Sequence, residues 1–141
     1  MFMLGALTHQ ALSVWWPATA GGRSVFHSFR AVRGAAYADT VVVLYTLTAT
    51  LGAVVYPAYR ISIRVFLEDL RLNAANGVFE LKEHIVAVGL GLLPAYWYYW
   101  RQPLADGDAL ARKAVTALLA AIVWYSFLVG HVLNSIRGLG P

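Results

Sequence analysis

Residues 111–136 read ARKAVTALLAAIVWYSFLVGHVLNSI, and no charged side chain follows Lys113 in this stretch. A helix needs about 20 predominantly apolar residues to cross a bilayer. The stretch therefore predicts a transmembrane helix. It also places a histidine, His131, within two turns of the end of that helix.

Three further apolar stretches, at about 2–20, 35–59 and 78–100, have the length of a bilayer crossing. The composition agrees, since 60% of the residues are hydrophobic and 13% are charged, with a mean hydropathy of +0.61. We therefore predict an all-α integral membrane protein, multi-pass, with four transmembrane helices in an up-down bundle. Residues 1–141 form its single membrane domain.

The first stretch is the least apolar of the four and has a second interpretation. Ala18-Thr19-Ala20 resembles a signal-peptide cleavage site, but no basic segment precedes the apolar residues. We therefore expect a retained helix that ends near Trp15 and Trp16, an aromatic pair suited to the membrane–water interface.

The connection after the second stretch is amphipathic. Apolar residues recur at helical spacing within 60–76, opposite a charged face. This pattern predicts either a helix lying at the interface or an extension of the second helix, ended by a turn at Asn76-Gly77. The apolar residues are Ile63, Phe66, Leu67 and Leu70, and the charged ones are Arg60, Arg64, Glu68 and Arg71.

Several function classes are excluded by composition. The chain has no cysteine, so Cys-ligated iron–sulfur clusters and covalently attached haem are excluded. The net charge of +4 is carried by residues that flank apolar segments, which suits headgroup contacts. No basic run resembles a nucleic-acid surface, so we expect the lipid bilayer and no nucleic acid among the partners.

Up-down threading divides the connections between two ends of the bundle. Side one is the end with residues 21–34 and 101–113, and side two is the other end. Side one has one more basic residue than side two, which favours cytoplasmic side one and both termini on the non-cytoplasmic side. The residues are Arg23, Arg30, Arg33, Arg101, Arg112 and Lys113 on side one, and Arg60, Arg64, Arg71, Lys82 and Arg137 on side two.

Three histidines on three different predicted helices fall at similar depth near side two. They are His9, His84 and His131, and ionisable groups in membrane helices mark function. Glu80 lies four residues before His84 on the same helix face, and Glu83 is adjacent to His84. The fourth histidine, His27, lies in the side-one loop and is expected to be solvated.

This layer first suggests a haem site. His84 and His131 would be the axial ligands of haem b, with His9 as the substitute, and Arg60 or Arg64 would pair with the propionates. Small residues leave space for the macrocycle, namely Gly5, Gly52 and Gly130. The predicted function is then electron transfer, with a quinone or a redox partner protein, as an oxidoreductase or a subunit of one.

Two alternatives stay open at this point. His9, His84, His131, Glu80 and Glu83 could instead bind a non-haem ion (iron, copper or zinc) in a membrane enzyme or metal transporter. The chain could also be an anchor or assembly subunit without a cofactor. Small-residue helix faces allow a homo-oligomer or a place in a larger membrane complex.

Overall fold

A computed structural model of the chain describes residues 1–16, 33–103 and 107–138. Within these ranges all regular elements are helical and no strand occurs. A 3₁₀ turn, Gly34–Tyr37, precedes the second helix, and a π-helical turn, Tyr59–Ile63, follows it. The helices are α1 (Phe2–Trp15), α2 (Ala38–Ala58), α3 (Arg64–Asp69), α4 (Asn73–Arg101) and α5 (Asp108–Gly138).

The four long helices form a ring in which each packs against two neighbours. α1 lies against α5, α5 against α4, α4 against α2, and α2 against α1. The neighbours α2 and α4 are antiparallel, because Tyr45 bonds to Val86 while the later Tyr59 bonds to the earlier Asn76. Within the described ranges α2 and α5 lie on opposite sides of the ring and do not pack together, so space remains at the centre of the ring.

The apolar surface is divided between a small core and a broad outward face. Two helical stretches, Gly34–Asp69 and Asp108–Ser135, are long and apolar enough to cross a membrane. Most of the apolar surface of both stretches is exposed, as on Val54, which is 71% exposed. Lipid contact stabilises such a surface, whereas in water a patch of this extent is unfavourable. The buried core includes Leu7, Val41, Leu93, Tyr96 and Leu119.

The first helix is shorter than the predicted span of 2–20. α1 has 14 residues, and at about 1.5 Å per residue it is about 21 Å long, less than the roughly 30 Å of bilayer hydrocarbon. The last part of the predicted span, residues 17–20, lies outside the described ranges, as does His27. The other predicted spans lie on α2, α4 and α5.

The connection after α2 is an extension of that helix. The helix continues from Pro57 through the π-helical turn into α3 and ends at Asp69. The predicted turn at Asn76-Gly77 is wrong, because the chain reverses earlier, where Arg71 has a φ of 56°. Asn76 lies inside α4 instead, where its buried side chain accepts a hydrogen bond from Tyr59.

Candidate functional site

His84 lies on an outward face of α4. Lys82 faces the bundle interior, and since successive helical residues are about 100° apart, His84 points about 200° away from it. The His84 ring is exposed, and its Nδ1 lies 2.7 Å from the backbone oxygen of Glu80. The Glu80 carboxylate, which lies on the same helix face as His84, accepts a hydrogen bond from Arg64 at 3.0 Å.

His131 is also exposed and contacts its own helix. Its ring lies parallel to the ring of Phe127, one turn earlier on α5, with 6.3 Å between centroids. This position is on the face of α5 that carries Trp124, which donates to Thr8 of α1. His131 lies about two turns beyond Trp124.

Of the three histidines that the structure describes, His9 is the buried one, and it contacts residues near side one. Its ring is 2% exposed and lies edge-on to the Tyr37 ring, with 5.6 Å between centroids. Tyr37 directly precedes α2 at side one, whereas His84 and His131 belong to the side-two part of their helices. The predicted meeting of the three histidines at one depth is therefore wrong, because α1 is short and His9 lies midway along it.

The predicted acidic and basic residues form local ion pairs. Arg64 bonds to both Glu68, at 2.8 Å, and Glu80, and so ties α3 to α4. The Arg60 guanidinium lies 6.0 Å from the centroid of the Tyr56 ring, one turn earlier. Among the residues that the structure describes, no group of three or more His, Asp or Glu side chains could hold a metal ion. Geometry in this part of the chain thus gives the direct metal site no support.

A cavity of about 320 Å³ lies at the centre of the ring, between the interior faces of all four long helices. Glu83 is the one predicted metal ligand that lines it. Gly52, expected to leave room for a cofactor, also lines it, whereas Gly5 and Gly130 do not. The lining residues are Met1, Met3, Leu4, Tyr45, Thr48, Ala49, Gly52, Lys82, Glu83, Val86, Ile122, Val123, Ser126 and Phe127.

The polar side chains in this apolar cavity fall into two kinds. Tyr45 donates to the backbone oxygen of Val86 at 3.0 Å, and Thr48 donates to that of Leu44 at 2.7 Å, so both hydroxyl hydrogens are used. Ser126 has a buried hydroxyl oxygen with no hydrogen-bond partner. The first two side chains offer a ligand only acceptor oxygens, whereas Ser126 retains its donor.

An ion pair forms part of the cavity wall. Lys82 Nζ lies 2.6 Å from Glu83 Oε1, although adjacent helical residues ordinarily point about 100° apart. The other carboxylate oxygen, Oε2, lies beside Gly52, where an added Cβ would be 3.8 Å away. The two side chains are 18% and 25% exposed. The pair therefore places charged groups at the wall of an otherwise apolar space.

Gly89 is the close-packing point that positions one wall of the cavity. A Cβ at this residue would overlap the hydroxyl of Tyr45 and would also meet Ile122 of α5. The absence of a side chain therefore lets Tyr45 reach the α4 backbone. The geometry makes Gly89 necessary for the position of Tyr45.

Sequence reasoning missed the cavity and most of its polar residues. Ser126 and Lys82 are each ordinary at their positions when their own helices are considered alone, as a small polar residue in an apolar helix and a basic residue near a helix end. The available signal was the spacing of Lys82, Val86 and Gly89, which places them on one face of α4. No sequence pattern shows that this face meets Ser126.

Comparisons with known proteins were made for the whole chain. No family model matches it, and no match was found among curated proteins or solved structures. Its function therefore has to be argued from the geometry of its own residues.

Proposed function

We propose that the protein is an integral, multi-pass membrane protein that binds a small lipophilic molecule of the quinone class in its central cavity. The exposed apolar faces of α2 and α5 support the membrane assignment. α4 packs antiparallel to α2 and also lies against α5, and on this proposal it crosses with them. α1 inserts beside α5 and covers part of the hydrocarbon depth.

The observation that carries the ligand proposal is the cavity itself. Ligand sites are typically concave spaces of about 300–1,000 Å³ with mostly apolar walls and a few polar groups, and this cavity lies at the small end of that range. A quinone head is a flat apolar ring with carbonyl oxygens that only accept hydrogen bonds. Apolar walls suit the ring, and the donors Ser126 and Lys82 suit the oxygens.

Filling the cavity tests this proposal. In Gly52→Leu the new side chain starts beside Glu83 and occupies cavity space. We expect its affinity for decylubiquinone, measured by calorimetric titration of the detergent-solubilised protein, to fall about ten-fold or more, or about 1.4 kcal/mol.

The matched control is Gly91→Leu. Gly91 is exposed on α4, and an added Cβ there has no neighbour within 4 Å. This variant should bind decylubiquinone as the parent protein does. Equal affinity in Gly52→Leu and the parent protein would show that decylubiquinone does not bind in the cavity. Absence of binding by the parent protein would show that the proposed function is wrong.

Haem b and electron transfer stay a prediction at this stage. His84 is exposed on α4 and His131 is exposed on α5 beside Phe127, and these positions give a shared haem within one copy little support. An absorption spectrum of the purified protein, oxidised and then reduced with dithionite, decides the point. A sharp Soret band with reduced α and β bands that disappear in His131→Ala would restore the haem assignment and add electron transfer to the proposed function.

A further inference from the structure

The hydrogen bonds that the cavity-lining side chains already make determine which donors remain for a ligand. Helical Ser and Thr hydroxyls commonly bond to the carbonyl three or four residues earlier, as Thr48 does to Leu44. Ser126 makes no such bond, and its buried oxygen has no partner. A buried unpaired hydroxyl is unfavourable, so an acceptor placed beside it is stabilised. Ser126 is one of the residues that line the cavity, so its unpaired hydroxyl lies at the cavity wall.

Lys82 supplies a second donor from the neighbouring helix. An ammonium group has three N–H donors. One serves Glu83, and the ammonium also lies 4.5 Å from the centroid of the Phe79 ring. Lys82 lines the cavity, and Glu83 uses only one of its three N–H donors.

We propose that Ser126 and Lys82 bind the two carbonyl oxygens of a quinone, one from α5 and one from α4. This inference rests on the proposed function and names the contacts that select the ligand. Tyr45 and Thr48 have already donated their hydrogens, so Ser126 and Lys82 are the donors that remain among these four wall residues. Glu83 holds the Lys82 ammonium in place.

The experiment is a decylubiquinone titration of variants of the full chain. Ser126→Ala removes one neutral hydrogen bond, and we expect its Kd to rise roughly five-fold. The double variant Lys82→Met/Glu83→Leu removes the charged donor without leaving a partly buried carboxylate unpaired, and its Kd should rise roughly twenty-fold. Lys82→Arg keeps the donor and should bind within a few-fold of the parent protein.

Two controls separate the contacts from general effects of substitution. Ser135→Ala changes an exposed serine on α5 whose hydroxyl donates to the backbone oxygen of His131. Lys113→Met removes a cation at the other end of the bundle, beside Trp15. Both should leave Kd unchanged.

The outcomes distinguish this inference from the proposed function. If the parent protein binds and Gly52→Leu does not, while Ser126→Ala and Lys82→Met/Glu83→Leu bind normally, the cavity stands and the two named contacts are wrong. If the parent protein does not bind decylubiquinone, the proposed function fails and the inference fails with it. Loss in the Gly52, Ser126 and Lys82 variants, with normal binding by Gly91→Leu, Ser135→Ala and Lys113→Met, supports both.

Discussion

Gln10 shows how one buried polar residue connects three parts of the chain. Its amide is fully buried, and it donates to the backbone oxygen of Gly34 at 2.8 Å and accepts from the Tyr96 hydroxyl at 2.6 Å. Nearby, Trp100 donates to Thr116 at 3.0 Å and connects α4 to α5. In the sequence Gln10 only makes the first stretch less apolar. The structure explains its presence, because its hydrogen-bonding groups are satisfied by distant residues.

The substitution Tyr96→Phe tests this contact. It keeps the aromatic ring but leaves the Gln10 carbonyl oxygen buried without its donor, and we expect the free energy of unfolding to fall by about 1–3 kcal/mol. Denaturant titration in mixed micelles, followed by circular dichroism, measures the change. Tyr98→Phe is the control, because Tyr98 is exposed and should lose less than about 0.5 kcal/mol. Equal loss in both variants would contradict a specific role for the Gln10 bond.

The extension of α2 into α3 depends mainly on one aromatic contact with α4. Tyr59 is buried, stacks on Phe79 with 3.7 Å between ring centroids, and donates to Asn76 at 2.8 Å. The Arg64 ion pairs with Glu68 and Glu80 are partly exposed, and each exposed pair contributes only about 0–1 kcal/mol. We therefore assign the position of α3 chiefly to Tyr59.

Replacing Tyr59 with alanine should loosen this element without unfolding the bundle. We expect amide hydrogen exchange in residues 60–72 to accelerate about ten-fold or more, while α5 keeps its protection. The control is Ile61→Ala, since Ile61 is 76% exposed and makes few contacts. Unchanged exchange in Tyr59→Ala would show that the ion pairs of Arg64, rather than the aromatic contact, hold α3.

The whole molecule is a ring of helices whose outer surface is apolar over most of α2 and α5. α2 and α3 together with their turns span 36 residues, or about 54 Å of helix, so the continuous helix is longer than a bilayer core of roughly 30 Å. If α2 crosses the bilayer as proposed, the charged part near Arg64 extends beyond the hydrocarbon at side two. The predicted orientation follows from a basic residue count that differs by one between the two sides, and it stays a prediction.

The cysteine-free chain allows a direct test of topology. Ser62→Cys places a thiol in the π-helical turn at side two, and Gln102→Cys places one just after α4 at side one; both positions are exposed. With a membrane-impermeant maleimide on intact cells, we expect labelling of Ser62→Cys and protection of Gln102→Cys until the cells are lysed. The reverse pattern would overturn the orientation, and labelling of both would contradict a membrane crossing by α4.

The sequence by itself determined the helical class and the positions of the long helices, because apolar length and periodicity are local properties that each segment carries alone. The spacing of apolar residues also predicted the amphipathic helix after α2, although not the turn at Arg71 where the chain reverses. The cavity and its polar residues could not be predicted in this way. Which faces meet depends on the rotation and depth of four helices together, so His9 lies near side one while His84 and His131 are exposed and apart from it. Only tertiary packing placed Ser126 of α5 and the Lys82–Glu83 pair of α4 on the wall of one cavity, since no single helix contains both.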